Sequence, residues 1–344
     1  MAQRGVTGGL PALITHPKWK EVADSIKSLP PCWIREDILF WEISWKPEAM
    51  PAPERLEAVI KLCALSGKKL QLGIVPCPIP TNEFWNKRVG GPWQDWFRPD
   101  FRIWEQIKIT LQLIIDFAVS TWSEYGGKKE DLRFEWFNEP GVGHVSGASP
   151  EREPLGNWSQ KHHEFCNFLL VKDKPISFRG HKVVGSTLSF FGEGKNEVQE
   201  LKTAPGGKQG EWWGKMSRRA VNLGIYLPRA AKSPRDAVGL YKPEFERILL
   251  EMQNLPVAAP KGPLCIHEWY LSKPMLGYRN GECEDKFRAD CIVAVGELIT
   301  SYKEIELAFF FTHYYPPEAE KTPYDKHSAF KGATRSAMLK YLAG

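Results

Sequence analysis

The stretch Arg133-Phe134-Glu135-Trp136-Phe137-Asn138-Glu139-Pro140 starts as an apolar run and ends in an abrupt turn. Such near-continuous hydrophobicity suits a strand buried on both faces, as in a parallel sheet covered by helices. An amide and a carboxylate, Asn138 and Glu139, stand side by side where that strand runs out. A packed core has little use for such a pair at that place.

Outward from this stretch, the whole chain alternates strand and helix. Strand-like runs fall at Cys32–Ile43, Leu70–Val75, Leu132–Asn138, Lys182–Phe190, Ala220–Tyr226, Leu264–Glu268 and Leu307–His313. Between them Leu56, Val59, Ile60 and Cys63 share one helical face, closed by Gly67 as a C′ glycine. Trp104, Ile107, Leu111, Ile114, Ile115, Ala118 and Trp122 repeat at helical spacing, as do Phe287, Cys291, Val295, Leu298 and Tyr302. Short helices are expected at about Lys18–Lys27 and Ser336–Leu342, and an eighth, weaker strand within Val6–Thr15. This pattern predicts an α/β fold, a (β/α)8 TIM barrel forming a single domain over residues 1–344. No GxGxxG or GxxxxGK[ST] follows any strand, which removes the main reason to expect a nucleotide-binding sheet. The segments at about 76–100 and 191–219 are rich in Gly, Pro and Trp, and in a barrel they become active-site loops.

Composition narrows the function classes. The chain has 344 residues and a net charge of +5, with its basic residues interspersed among 41 acids, so it carries no nucleic-acid footprint. No run approaches the ~18 apolar residues of a membrane span, and the N-terminus lacks the apolar core of a secretory signal. The reading is a soluble protein with no membrane or nucleic-acid partner. Seven cysteines without a CxxC pattern read as buried small hydrophobes. The 14 tryptophans stand out. Trp93, Trp96, Trp212 and Trp213, among glycines and polar residues, suit either sugar stacking or the packing of loops.

Two strand ends carry a glutamate: Glu139, and Glu268 in Leu264-Cys265-Ile266-His267-Glu268-Trp269-Tyr270. In a closed barrel both strands face one mouth. Cleaving a glycosidic bond needs two carboxyl groups, one to protonate the leaving oxygen and one to attack the anomeric carbon or activate water. Glu135, about 13 Å deeper along the same extended strand, is expected in an ion pair with an arginine inside the barrel. His162, His163 and Cys166 read as a helix surface and not a metal site, there being no fourth ligand. His267 either touches substrate or satisfies a loop.

Phe134-Glu135-x-x-Asn138-Glu139-Pro140 resembles the strand-4 motif F-E-x-W-N-E-P of the clan A glycoside hydrolases, nearest in flavour to family 39. Ile266-His267-Glu268-Trp269 is similar to the strand-7 segment that holds their nucleophile. Trp33-Ile34-Arg35 and the following residues look like their strand-2 Y-I-R. The resemblance spans roughly residues 17–315. It implies a retaining glycosidase without cofactor or metal, with Glu139 as acid/base and Glu268 as nucleophile. Asn138 would bond the 2-hydroxyl of the sugar. Arg35 would lie beneath Glu268 and favour its ionised form. Desolvation near Trp136 or loop aromatics, with Glu268 negative nearby, would keep a proton on Glu139. Tyr226, Trp269 and His313 would complete the substrate-binding set.

The chain departs from the motif at three places. Phe137 replaces a Trp, no His accompanies Tyr226 in strand 6, and strand 8 lacks its Trp, leaving His313 or Tyr314 to take that place. The expected substrate is an oligo- or polysaccharide with a β-type linkage, cut internally in a cleft, with an exo-acting pocket as the alternative. A transglycosylase using the same intermediate and a non-catalytic carbohydrate-binding barrel are the alternatives.

Overall fold

A computed structural model describes residues 2–11, 14–39, 44–46, 49–52, 54–75, 101–136, 160–191, 195–196, 211–224, 231–254, 262–271, 285–314 and 329–344. In chain order they form β1 (Gln3–Thr7), α1 (Trp19–Lys27), β2 (Trp33–Leu39), β3 (Ser44–Lys46), β4 (Ala49–Ala52) and α2 (Glu54–Leu65). Next come β5 (Lys69–Val75), α3 (Phe101–Glu124), β6 (Leu132–Trp136), α4 (Gln160–Leu170), β7 (Lys182–Phe191) and β8 (Lys195–Asn196). The last elements are β9 (Arg218–Gly224), α5 (Pro234–Gln253), β10 (Leu264–Trp269), α6 (Asp285–Ser301), β11 (Ile305–Phe310) and α7 (Gly332–Ala343).

Strand order runs β6-β5-β2-β1-β11-β10-β9-β7, and β7 pairs back with β6. All these pairings are parallel, so the strands close an eight-stranded (β/α)8 barrel. The expected eighth strand is β1, but it occupies Gln3–Thr7 and stops before Gly8 and Gly9. Gly9 has φ +68°, and a Cβ there would meet the Tyr314 carbonyl oxygen at 2.0 Å, so the chain must turn over β11's end instead of extending. The hairpins β3–β4 and β7–β8 lie outside the repeating pattern.

Period-2 alternation sorts the strand residues between two cores. Outward residues such as Ile34, Leu70, Leu72, Phe134, Val221, Ile266 and Phe310 pack with the helices in one cluster. Inward, Trp33, Val184, Ala220, Cys265, Leu307 and Phe309 form a second, apolar cluster inside the barrel. Helix α2 buries Leu56, Val59, Ile60 and Cys63, and Gly67 beyond it has φ +65°, the left-handed C′ residue that the spacing predicts. Five described cysteines, Cys32, Cys63, Cys166, Cys265 and Cys291, are buried. No described helix is long and apolar enough to cross a membrane.

Candidate active site

Arg35 on β2 is fully buried and points into the barrel. Its Nε donates to Glu135 Oε2 at 2.6 Å and its Nη2 to Glu135 Oε1 at 3.0 Å, a two-pronged pairing with β6. Its Nη1 donates to Glu268 Oε1 on β10 at 2.9 Å, and Nη2 lies 3.2 Å from Asp37 Oδ1. One guanidinium thus meets three carboxylates. Burial alone would weaken its hold on a proton, but Asp37, Glu135 and Glu268 more than offset that and Arg35 stays charged.

Glu135, expected from sequence to find an arginine inside the barrel, does so. Its carboxylate also accepts from Gln71 Nε2 at 3.0 Å and from His267 Nδ1 at 2.8 Å. Burial would raise its proton affinity, yet Arg35 and His267 hold it well below the usual carboxylate range. Burial lowers His267 in spite of Glu135, so the ring is neutral and donates its Nδ1–H. Gln71 accepts in turn from Arg133 Nε at 2.7 Å, and Arg133 lies over the Trp33 ring at 4.4 Å. A polar layer drawn from four strands therefore rests on the apolar floor.

A register irregularity sets the orientation of β10. Ile266 pairs with Val221 and Glu268 with Asn222, leaving His267 as the extra residue of a bulge. Without it, His267 and Glu268 would face opposite sides; with it, both meet inward partners, Glu135 and Arg35. Glu268 retains 13% side-chain exposure while Glu135 has none, so one carboxylate reaches the mouth and the other serves the interior. Gly73, on β5 beside Asp37, leaves the room this layer needs: a Cβ there would stand 2.1 Å from Asp37 Oδ1.

Several expectations are corrected. Trp269 does not face the lumen; it is fully buried on the helix side, edge-on to Phe310 and Tyr341 at 5.1 Å each. Once the bulge turns Glu268 inward, the next residue must point out. Trp136 likewise faces outward, against Phe178 on the helix side, and cannot desolvate a carboxyl in the mouth from there. His313 is fully buried, edge-on to Phe330, and burial with the nearby Arg335 lowers it to about 3. Tyr314 is buried too, packed on the same Phe330. Trp212 and Trp213 are wholly buried and stack at 5.8 Å, which makes them packing residues and not a sugar platform. His162 and His163 belong to α4, with Cys166 in the core.

Glu139, Asn138, Tyr226, Trp93 and Trp96 lie outside the described residues. Strand β6 is described up to Trp136, three positions before Glu139, at the end of the barrel where β10 carries Glu268. Sequence reasoning missed Asp37 and Phe311. Alternation from Arg35 gives Asp37 as inward, and alternation from Phe309 gives Phe311. The half-buried Phe311 ring lies 6.1 Å from that of Tyr270 just beyond β10.

No protein-family model and no curated protein matches the chain. Solved structures do match. One is a GH5_18 variant from Streptomyces cattleya in complex with Manβ1-4GlcNAc, at TM-score 0.64 and 10% identity over 100% of this chain and 80% of that one. Another is the endo-1,4-β-mannanase from Rhizomucor miehei, at TM-score 0.56 and 15% identity, over 99% and 94%. A third is a glycoside hydrolase family 5 enzyme from Prevotella bryantii with a xyloglucan tetradecasaccharide, at TM-score 0.51 and 11% identity, over 98% and 92%. At such identities the likeness is one of fold. The two of these three whose names carry a family number are of family 5, a clan A family, and the family 39 flavour of the sequence is not supported. The chain shares with these glycoside hydrolases the (β/α)8 barrel fold.

Proposed function

We propose that this protein is a retaining glycoside hydrolase that cuts a β-linked oligo- or polysaccharide internally. The observation that carries this reading is the ion pair of Glu268 with Arg35. A glutamate at a strand's C-terminal end, partly open to the mouth and bonded from beneath by a buried guanidinium, is equipped to stay ionised and attack. The names of the structural neighbours, which include a β-mannanase and complexes with Manβ1-4GlcNAc and a xyloglucan, favour a β-linked gluco- or manno-configured chain. A fold of this kind hosts many chemistries, so the argument rests on the site residues and not on the barrel.

In this reading Glu268 attacks the anomeric carbon while Glu139 protonates the departing glycosidic oxygen. Glu139 then deprotonates the water that releases the sugar, so the two inversions leave the configuration unchanged. Asn138 bonds the 2-hydroxyl, a contact that strengthens as the ring acquires positive charge. Tyr226, two positions past the end of β9 in the sequence, is assigned to orient the nucleophile. Phe311 takes the place of the absent strand-8 tryptophan as the aromatic floor.

Kinetics on 2,4-dinitrophenyl β-mannoside and β-glucoside, beside β-1,4-mannan and β-glucan, test the assignments. Glu139→Gln should lower turnover of the polysaccharide by about 10²–10⁴-fold while largely sparing the activated glycosides, whose leaving groups need no proton. Glu268→Gln should abolish turnover of both. Near-full activity in Glu268→Gln would remove Glu268 from the mechanism.

A further inference from the structure

The network beneath Glu268 is built around a residue that takes no part in bond breaking. Among the described residues, four N–H groups from other strands meet Glu135: two from Arg35 on β2, one from Gln71 on β5 and one from His267 on β10. That fills the roughly four acceptor directions of a carboxylate. With Nε and Nη2 of Arg35 gripped in this way, the planar guanidinium is left with Nη1 directed at Glu268. Holding His267, the residue beside Glu268, also ties down the bulge that turns Glu268 inward.

The same contacts divide charge. Among the described residues, the charged and titratable groups that face this cluster are Arg35 and Asp37 from β2, Arg133 from β6, and His267 and Glu268 from β10. Gln71 of β5 is uncharged and stands between Arg133 and Glu135. Arg35 is in ion-pair contact with Glu135, Glu268 and Asp37 together, and the Glu135 carboxylate is the one with no exposure to water. Its negative charge is held ionised in a poorly screened interior, where a like charge disfavours ionisation of its neighbours.

We propose that Glu135 is a positioning residue for Glu268: it fixes the orientation of Arg35 and takes a share of that cation's charge, so that Glu268 binds its proton at a higher pH than under Arg35 alone. This rests on the glycosidase reading only for the role given to Glu268. A carboxylate fully committed to a guanidinium is a weak nucleophile, since nucleophilicity falls with proton affinity along a Brønsted trend. Sharing the cation keeps Glu268 ionised and still reactive.

The test reads Glu268 directly and needs no turnover. The full chain is labelled with [5-13C]glutamate, the Glu268 signal is assigned by its loss in Glu268→Gln, and its pH midpoint is followed by NMR. Glu135→Gln keeps one acceptor oxygen for Arg35 and removes the charge. Its Glu268 midpoint should fall by about half a pH unit or more, and the acid limb of kcat/KM on 2,4-dinitrophenyl β-mannoside should move with it. A purely structural Glu135 would change the folded fraction and leave the midpoint in place. Asp37→Asn removes a partly exposed charge from the same guanidinium, so it reports on charge sharing even if Glu135→Gln does not fold; it too should lower the midpoint. An unchanged or raised midpoint in either folded variant overturns the proposal. Loss of the glycosidase reading alone would show as a lowered midpoint in a protein that cleaves no glycoside.

Discussion

Two imidazoles illustrate what burial does at the scale of a residue. His313 is lowered to about 3 by burial, with Arg335 adding to it, and His267 is lowered by burial despite its bond to Glu135. A histidine whose folded form resists the proton binds it only when the chain unfolds. Its contribution to stability is therefore complete above an unfolded value of about 6.5 and is lost as the pH falls below that. For His313 the loss continues until the pH reaches about 3. Glu135, held well below the ordinary range, acts in the same direction below about pH 4.3, where the unfolded carboxylate takes a proton that the folded one refuses. Urea midpoints should thus be level near neutrality and fall on acidification, with His313 supplying a slope of about 1.4 kcal/mol per pH unit. His313→Gln should remove that part of the slope between pH 6 and 4. Parallel curves for wild type and variant would show that His313 titrates alike in the folded and unfolded chain. His313 also shows why a sequence position near a strand end does not give exposure: the chain folds back through Phe330 and covers it.

At the scale of elements, the packing of α6 and α7 against the barrel turns on one small residue. A Cβ on Gly296 would come within 2.6 Å of the Tyr341 ring and 3.0 Å of Trp269. Tyr341 is itself fixed, by its hydroxyl donating to the Ala308 carbonyl at 2.7 Å. Gly296→Ala would gain about 1 kcal/mol in helix propensity, yet overpacking of this contact should cost about 1–3 kcal/mol. The denaturant midpoint should therefore fall or, at the least, fail to rise; a stabilised variant would mean that the two rings move aside freely. The sequence made most elements legible, since parallel strands covered on both faces are apolar throughout and their helices keep a clear stripe. It failed where local signals conflicted. Helix α5 was missed although Ser233 caps it, accepting from the Asp236 N–H at 3.0 Å, and Ala237, Tyr241, Phe245, Ile248 and Met252 form its buried face. Pro243 interrupts that stripe and reads as a stop. The bulge at His267 leaves no mark in composition, and the resemblance that implied a substrate-binding Trp269 does not show which side of β10 it faces.

At the scale of the whole molecule, barrel closure turns distant sequence positions into neighbours. Arg35, Gln71, Glu135 and Glu268 lie on four strands spread over most of the chain, and the parallel register brings their side chains within hydrogen-bonding reach. That Glu135 pairs with an arginine was legible because a carboxylate inside a barrel needs an opposite charge, and the place of Arg35 beneath Glu268 was implied by the resemblance. The joining of both glutamates to one arginine was not legible, because it depends on tilt and stagger that no single strand encodes. The proposed function requires Glu139, which lies outside the described residues, to meet Glu268 across the mouth at the spacing of a double displacement. A carboxylate separation of about 5–5.5 Å produces retention, and one of about 6.5–9.5 Å leaves room for water and produces inversion. The most direct measurement is the anomer of the first product, read by proton NMR during the opening minutes of hydrolysis of a β-1,4-linked manno- or gluco-oligosaccharide. The β-anomer should appear first and the α-anomer only later, by mutarotation. An initial α-product would contradict the account.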